Sequence, residues 1–180
     1  MASINNAVQI AAPFTASRES FRANAYYDVN GYAVGYGNHY YQDGSPVGPD
    51  DTIDQPTAQQ LLTDTLTEIA AEINQALTVS ASDNMLAALS DLGYNWGTGN
   101  VKKSVLLGLI NSGAPQADIA DQWNKTAITS AGAYDADLAN RRIAEQNLAF
   151  SGGTDVLGIV ALAVAALFIL FFIGGSRGKH

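Results

Sequence analysis

An α+β domain, with a small sheet near the N-terminus and a larger helical part after it, is the fold class that this 180-residue sequence predicts. Three observations carry that reading. A Tyr-, Val- and Gly-rich run over residues 34–41 is followed by Asp43-Gly44, a hairpin signal. Beyond it, apolar residues recur at helical spacing in several segments punctuated by Ser, Asp and Gly, which start and stop helices. The chain has no cysteine, so a packed core rather than a disulfide framework or a thiolate metal site must hold it together. Its length suits one globular domain better than two.

In chain order, residues 1–13 are uncharged and weakly patterned and read as an N-terminal arm, with the domain proper expected over 14–150. Thr15 and Ser17 ahead of Glu19 suggest a helix start, which would put Glu19 on a helix and Asp28 in the turn before the hairpin. Pro46, Gly48 and Pro49 continue as loop. From 57 to 77 a long amphipathic helix is expected, because Leu62, Leu66, Ile69, Ile73 and Leu77 share one face while Asp64, Glu68 and Glu72 lie off it. Asp83 is the expected N-cap of a helix whose Met85, Leu86, Leu89 and Leu92 fall at core spacing. Further helices are expected over 104–111, stopped by Gly113, over 116–123 and over 135–150. No internal repeat is present.

The C-terminus differs in kind. Residues 156–173, VLGIVALAVAALFILFFI, carry no charged or polar side chain, and about 18 residues of helix rise roughly 27 Å, close to a bilayer's hydrocarbon thickness. The alternative is a buried core helix, but a domain this small rarely buries a helix on every face. A transmembrane helix over 156–173 is therefore expected, with residues 151–155 as a short hinge and 174–180 as a basic tail. The N-terminus, MASINNAVQIAAPF, lacks the basic and apolar regions of a cleavable secretory signal. The net charge of −8 and the absence of a basic stripe argue against nucleic acid as a partner. The lipid bilayer is the partner expected of residues 156–173.

Chemistry concentrates in SRESFRANAYYDVNGYAVGYGNHYYQDG, residues 17–44. Cleavage of a glycosidic bond needs one carboxylic acid to protonate the leaving oxygen and commonly a second carboxylate to stabilise charge or activate water. Glu19 and Asp28 can supply such a pair, although neighbouring carboxylates are usually just surface residues. Tyr26, Tyr27, Tyr32, Tyr36, Tyr40 and Tyr41 suit stacking on sugar rings, and strand alternation commits about half of them to packing instead. No metal-ligand cluster, phosphate loop or Ser/His/Asp nucleophile stands out, so neither metal nor other cofactor is expected.

The stretch resembles the phage-type lysozymes of glycoside hydrolase family 24. Their pattern runs Glu, Ala-Tyr, Asp, Gly and a Gly-x-Gly strand ending in His, and is met here by Glu19, Ala25-Tyr26, Asp28, Gly31, Gly35-Tyr36-Gly37 and His39. DTIDQPTAQQLLTDTL resembles the family's linker and the start of its interlobe helix, and MLAALSDLGYNWGTGNVKKSVLLGLINSG resembles its following helices. DLANRRIAEQNLAF resembles its terminal Leu-x-x-Arg-Arg-x-x-Glu helix. The resemblance covers roughly residues 14–150 and implies a two-lobe lysozyme-like domain that cuts the β-1,4 bond between N-acetylmuramic acid and N-acetylglucosamine in peptidoglycan.

By position, the resemblance makes Glu19 the general acid, Asp28 the second carboxylate and Arg141 the arginine that pairs with the acid, where composition alone would also allow a solvated helix-face cation. His39 is expected to stabilise the hairpin rather than act in catalysis. One feature departs from the family. Where it has a threonine that helps hold the attacking water, this chain has Tyr32, Ala33 and Val34, and Gly35-Tyr36-Gly37 comes one residue early relative to Asp28. Tyr32 is the nearest group that could orient the water instead. Three outcomes stay open: hydrolysis, a lytic transglycosylase forming anhydro ends, and a domain that grips glycan without turnover. With a single late span and no leader, the expected setting is a phage virion membrane, among other virion membrane proteins, or the host inner membrane.

Overall fold

The structure is a computed structural model that describes residues 2–28 and 30–152, and over them the chain has the α+β layout that the sequence predicts. Helix α1 (Ile4–Ala16) is followed by an antiparallel hairpin of β1 (Arg22–Asp28) and β2 (Gly31–Gly35). Then come α2 (Gln55–Ala76), α3 (Asp83–Trp96), α4 (Thr98–Lys102), α5 (Val105–Asn111) and α6 (Gln116–Trp123). A short hairpin of β3 (Thr129–Ser130) and β4 (Ala133–Tyr134) leads into α7 (Ala136–Phe150). Of these, α4 and the second hairpin are not foreseen by the sequence reading; both are too short to show a period.

The helical part is built around α3. Every residue of it from 86 to 93 is buried, and α1, α2 and α7 all pack on it. That total burial is possible because Ala87, Ala88, Ser90 and Gly93 are small enough to let three helices approach on different sides. The long helix α2 buries Leu62, Leu66 and Ile73, as its period predicts, with Asp54 capping it through Thr57 N–H at 2.8 Å.

Two expectations are corrected at the N-terminus. Residues 1–13 are no loose arm: α1 buries Ala7, Val8, Ala11 and Thr15 against α2 and α3. Its buried stripe is made of small residues and its interior contains Pro13, a residue that speaks against a helix in sequence although the packing is close. Glu19 consequently lies just past a helix end, not on a helix that starts at Thr15. Asp83 likewise does not cap its own helix. Ser82 does so, accepting from Met85 N–H at 3.0 Å, while Asp83 takes the Ser3 N–H at 2.6 Å and the Asn6 side chain at 2.9 Å, closing the start of α1.

The hairpin closes on the Asp28–Gly31 pair, earlier than the Asp43-Gly44 signal suggests. Asp28 ends β1 opposite Gly31 rather than standing in the turn, and its Oδ1 accepts the Asn30 N–H at 2.7 Å. Asp43 and Gly44 do form a tight loop, bridged by Tyr40 and Pro46, in the irregular stretch that follows. That stretch returns to β1, with Ala25 N–H donating to Asp51 O and Ile53 N–H to Ala23 O. No helix among the described residues is long and apolar enough to cross a membrane. The span expected at 156–173 and the tail at 174–180 lie outside the described residues.

Candidate active site

Glu19 is held from two directions. Its N–H donates to Thr15 O at 3.0 Å, an extra turn at the end of α1, and the buried Thr15 hydroxyl donates to Asp91 Oδ1 at 2.7 Å, tying that turn to α3. On the side-chain end, Arg141 Nη1 donates to Glu19 Oε1 at 2.6 Å. The same guanidinium clamps Asp91 with its other nitrogens, Nε to Oδ2 at 2.9 Å and Nη2 to Oδ1 at 2.8 Å. With its side chain 9 % exposed, Arg141 is no solvated helix-face cation. Burial pulls its proton affinity down, but hydrogen bonds and charge from Asp91 and Glu19 outweigh it and leave the guanidinium firmly charged.

Behind this pair the ion network continues into the core. Glu145 Oε2 accepts from Trp123 Nε1 at 2.9 Å, and its Oε1 lies 2.9 Å from Arg142 Nη2. Arg142 Nη2 also donates to Asn95 Oδ1 at 2.7 Å. Arg142, Glu145 and Asp91 are fully buried. Two carboxyls so close do not both ionise easily. Burial also acts to raise Asp91, yet Arg141 overrides it and holds Asp91 below the ordinary aspartate value. Glu145 is pushed well up, first by burial and with help from Asp91, despite the neighbouring Arg142. Asp91 is thus held toward its ionised form and Glu145 toward its protonated one.

Asp28 has its own basic partner. His39 Nε2 lies 3.3 Å from Asp28 Oδ2, while His39 Nδ1 lies 3.0 Å from the backbone carbonyl of Tyr32. Both ring nitrogens face oxygen acceptors, so the doubly protonated ring satisfies both and a neutral ring only one. His39 bridges the Tyr32 carbonyl and the Asp28 carboxylate. Tyr32 falls differently. Register pairs Tyr27 with Tyr32 and Tyr26 with Ala33, so Tyr32 is on the opposite face of the hairpin from Asp28. Its ring meets Tyr27 edge-on at 5.2 Å, and only its backbone oxygen belongs to the Asp28 surroundings. Ala33, on the Asp28 face, is fully buried.

Tyr26 joins the two halves. Its phenol is pushed up by burial and by the charges of both Asp28 and Glu19, partly countered by Arg22, whose guanidinium lies 4.2 Å over the ring. Across the cleft Tyr94 is raised by burial and then by Glu19, and donates to Tyr36 O at 2.9 Å. Beside them a groove of about 440 Å³ runs between the hairpin loops and the helices, lined by His39, Tyr40, Thr65, Glu68 and Tyr94 among others. Of the other tyrosines, Tyr27 and Tyr40 are exposed, Tyr36 is buried against Phe21, and Tyr41 donates to Asp51. Among the described residues no group of three or more His, Asp or Glu side chains is arranged to hold a metal ion.

Asp91, Glu145 and Tyr94 are the site's neighbours that the sequence reading misses. The available signal is an acid within the apolar run MLAALSDLG, together with a Glu four residues after Arg141, but neither names its partner across the fold.

Comparison with known proteins fits this geometry. The family model described as phage lysozyme matches residues 16–145. The endolysin of Bacillus phage PZA is 38 % identical over 125 residues, covering 68 % of this chain and 45 % of the relative. That of Bacillus phage B103 is 34 % identical over 141 residues, covering 76 % and 51 %. The chain thus spans about half the length of the curated relatives it matches. A crystal structure of P22 lysozyme superposes with a TM-score of 0.68 at 26 % identity, over 79 % of this chain and 96 % of that one.

Proposed function

Because the chain belongs to the phage lysozyme family, we propose that it degrades peptidoglycan by cutting the β-1,4 bond between N-acetylmuramic acid and N-acetylglucosamine. The observation that carries this is the pairing of each carboxylate with its own base: Glu19 with Arg141 and Asp28 with His39, around a shared Tyr26. In this reading Glu19, with its side chain 27 % exposed, donates a proton to the glycosidic oxygen as the bond to the anomeric carbon breaks. Asp28, 3.3 Å from His39 Nε2, stabilises the positive charge that develops on the sugar and helps position water. Exposed Tyr27 and Tyr40 offer flat faces to sugar rings.

Hydrolysis is the favoured outcome. A second reading rests on Ala33, which is buried on the Asp28 face where the family resemblance expects a hydroxyl. Without a group to hold water, the muramyl 6-hydroxyl attacks instead and leaves a 1,6-anhydro ring. Mass spectrometry of purified peptidoglycan digested by the full chain tests both. Reducing muramyl ends support hydrolysis and anhydro ends transglycosylation, while uncut glycan contradicts the muralytic reading altogether.

The apolar residues 156–173 support a membrane anchor for the enzyme. Arg177 and Lys179 follow that stretch, whereas Arg141 and Arg142 are taken up inside the fold, so the positive-inside rule favours a domain facing away from the cytoplasm. We infer a phage lysin that opens the wall locally from a virion membrane during genome entry, with a host-inner-membrane lysin acting at lysis as the rival.

A further inference from the structure

A general acid beside a guanidinium is a contradiction unless something else takes up the positive charge. An opposite charge within hydrogen-bond distance favours the ionised carboxylate, the form that has no proton to give. Arg141 makes its single short bond to Glu19, yet spends Nε and Nη2 on Asp91 in a two-point clamp, the stronger geometry for a charge-assisted pair. Asp91 is fully buried on α3, so its charge acts on Arg141 with little solvent screening. Both of its oxygens are occupied by Arg141, and Oδ1 also accepts from Thr15, which fixes the carboxylate's plane.

We propose that Asp91 is a positioning residue for Glu19: it neutralises Arg141 from the buried side, so that the guanidinium orients the acid without acting as its unopposed counter-charge. This rests on the reading of Glu19 as the proton donor. The charges and titratable groups around Glu19 are Arg18 beside it, stacked on Phe14; Arg141, with Arg142 and Glu145 behind it and Asp135 and Asp137 at the start of α7; Asp91 and Tyr94 on α3; and Tyr26, with Arg22 and the His39-paired Asp28, on β1. Among these, Asp91 alone is an anion clamped on Arg141 by two hydrogen bonds. Glu145, raised by burial, lies 3.7 Å from Arg141 Nε and does not take its place.

The test is the carboxyl titration of Glu19 by carbon NMR, using the full chain with labelled glutamate in mild detergent. Absence of a resonance in Glu19→Gln identifies the signal. In Asp91→Asn, which keeps shape and a partner for Thr15, the Glu19 midpoint is expected to fall by about one pH unit or more. On peptidoglycan fragments, kcat at neutral pH then falls roughly tenfold with KM nearly unchanged, and the alkaline limb of the profile moves to lower pH. A purely structural role for Asp91 leaves the midpoint where it was, and that result overturns the proposal. If Asp91→Asn does not fold, the charge-balanced pair Asp91→Asn/Arg141→Gln replaces it; its Glu19 midpoint is expected at or above the wild-type value, and a lower one overturns the proposal. Full lytic activity in Glu19→Gln would refute the assignment of the acid but leave the midpoint comparison standing.

Discussion

Ala33 and His39 decide what the hairpin can do at the scale of single residues. Ala33 is fully buried opposite Tyr26, so a threonine there adds a methyl and a hydroxyl to a site already filled. Ala33→Thr is therefore expected to cost about 1–3 kcal/mol and to leave lysis no faster; denaturant unfolding and wall clearing check both halves. His39 carries the opposite expectation. With its side chain 23 % exposed at the cleft, His39→Ala leaves the fold intact but frees Asp28 Oδ2 from its 3.3 Å partner. Clearing is expected to drop by roughly tenfold or more, with partial recovery in His39→Gln, whose amide can still donate; equal rates in all three proteins would remove His39 from the site. The family resemblance points to Glu19, Asp28 and His39 through the pattern at residues 17–44 and to Arg141 through the terminal-helix pattern. It does not show that His39 meets Asp28, because a loop closes that contact, nor that Tyr32 faces away, because the register was misplaced by the later turn signal.

Between elements, the seam of α2 with α3 leaves no room beside Gly93. A Cβ on Gly93 would stand 2.8 Å from Ile69 Cγ2 and 3.1 Å from Ile73 Cδ1, both on the facing helix. Gly93→Ala gains about 1 kcal/mol of helix propensity, but a branched methyl next to the backbone cannot swing aside, so net destabilisation of about 1–2 kcal/mol is expected in thermal unfolding. The α3–α7 seam sets the pH response. Asp91 is held below its ordinary 3.8, so its pairing stabilises fully above about pH 4 and is lost as pH falls through the folded value. Glu145 is raised well above 4.5, so its contribution is complete below that pH and fades as pH rises through its folded value. The melting temperature is expected to peak in mild acid and decline above it, and Glu145→Gln to flatten the upper decline. An unchanged decline in that variant would place its source elsewhere. Helices α2, α5 and α7 were legible because each carries apolar spacing behind a capping side chain, and α6 by its spacing after Gly113 alone; α1 was not, since Pro13 speaks against a helix and its buried stripe is made of small residues.

For the whole molecule, fold class and family were readable because four short patterns occur in order, although the charge network that joins α1, α3 and α7 was not. Asp91 and Arg141 are 50 residues apart in sequence, and nothing local announces their clamp. The proposed anchor makes a prediction at this scale: the full chain should float with liposomes and resist carbonate extraction, and purified particles should contain it if it serves entry. Abundance in infected-cell membranes with absence from particles favours the lysis role. The muralytic claim itself turns on Glu19. Clearing of purified peptidoglycan by Glu19→Gln, compared with wild type at equal folded concentration, is the most direct measurement of it. Loss of at least about 100-fold in rate, with an unchanged fold by circular dichroism, is the result predicted from a missing proton donor; clearing near the wild-type rate would contradict it.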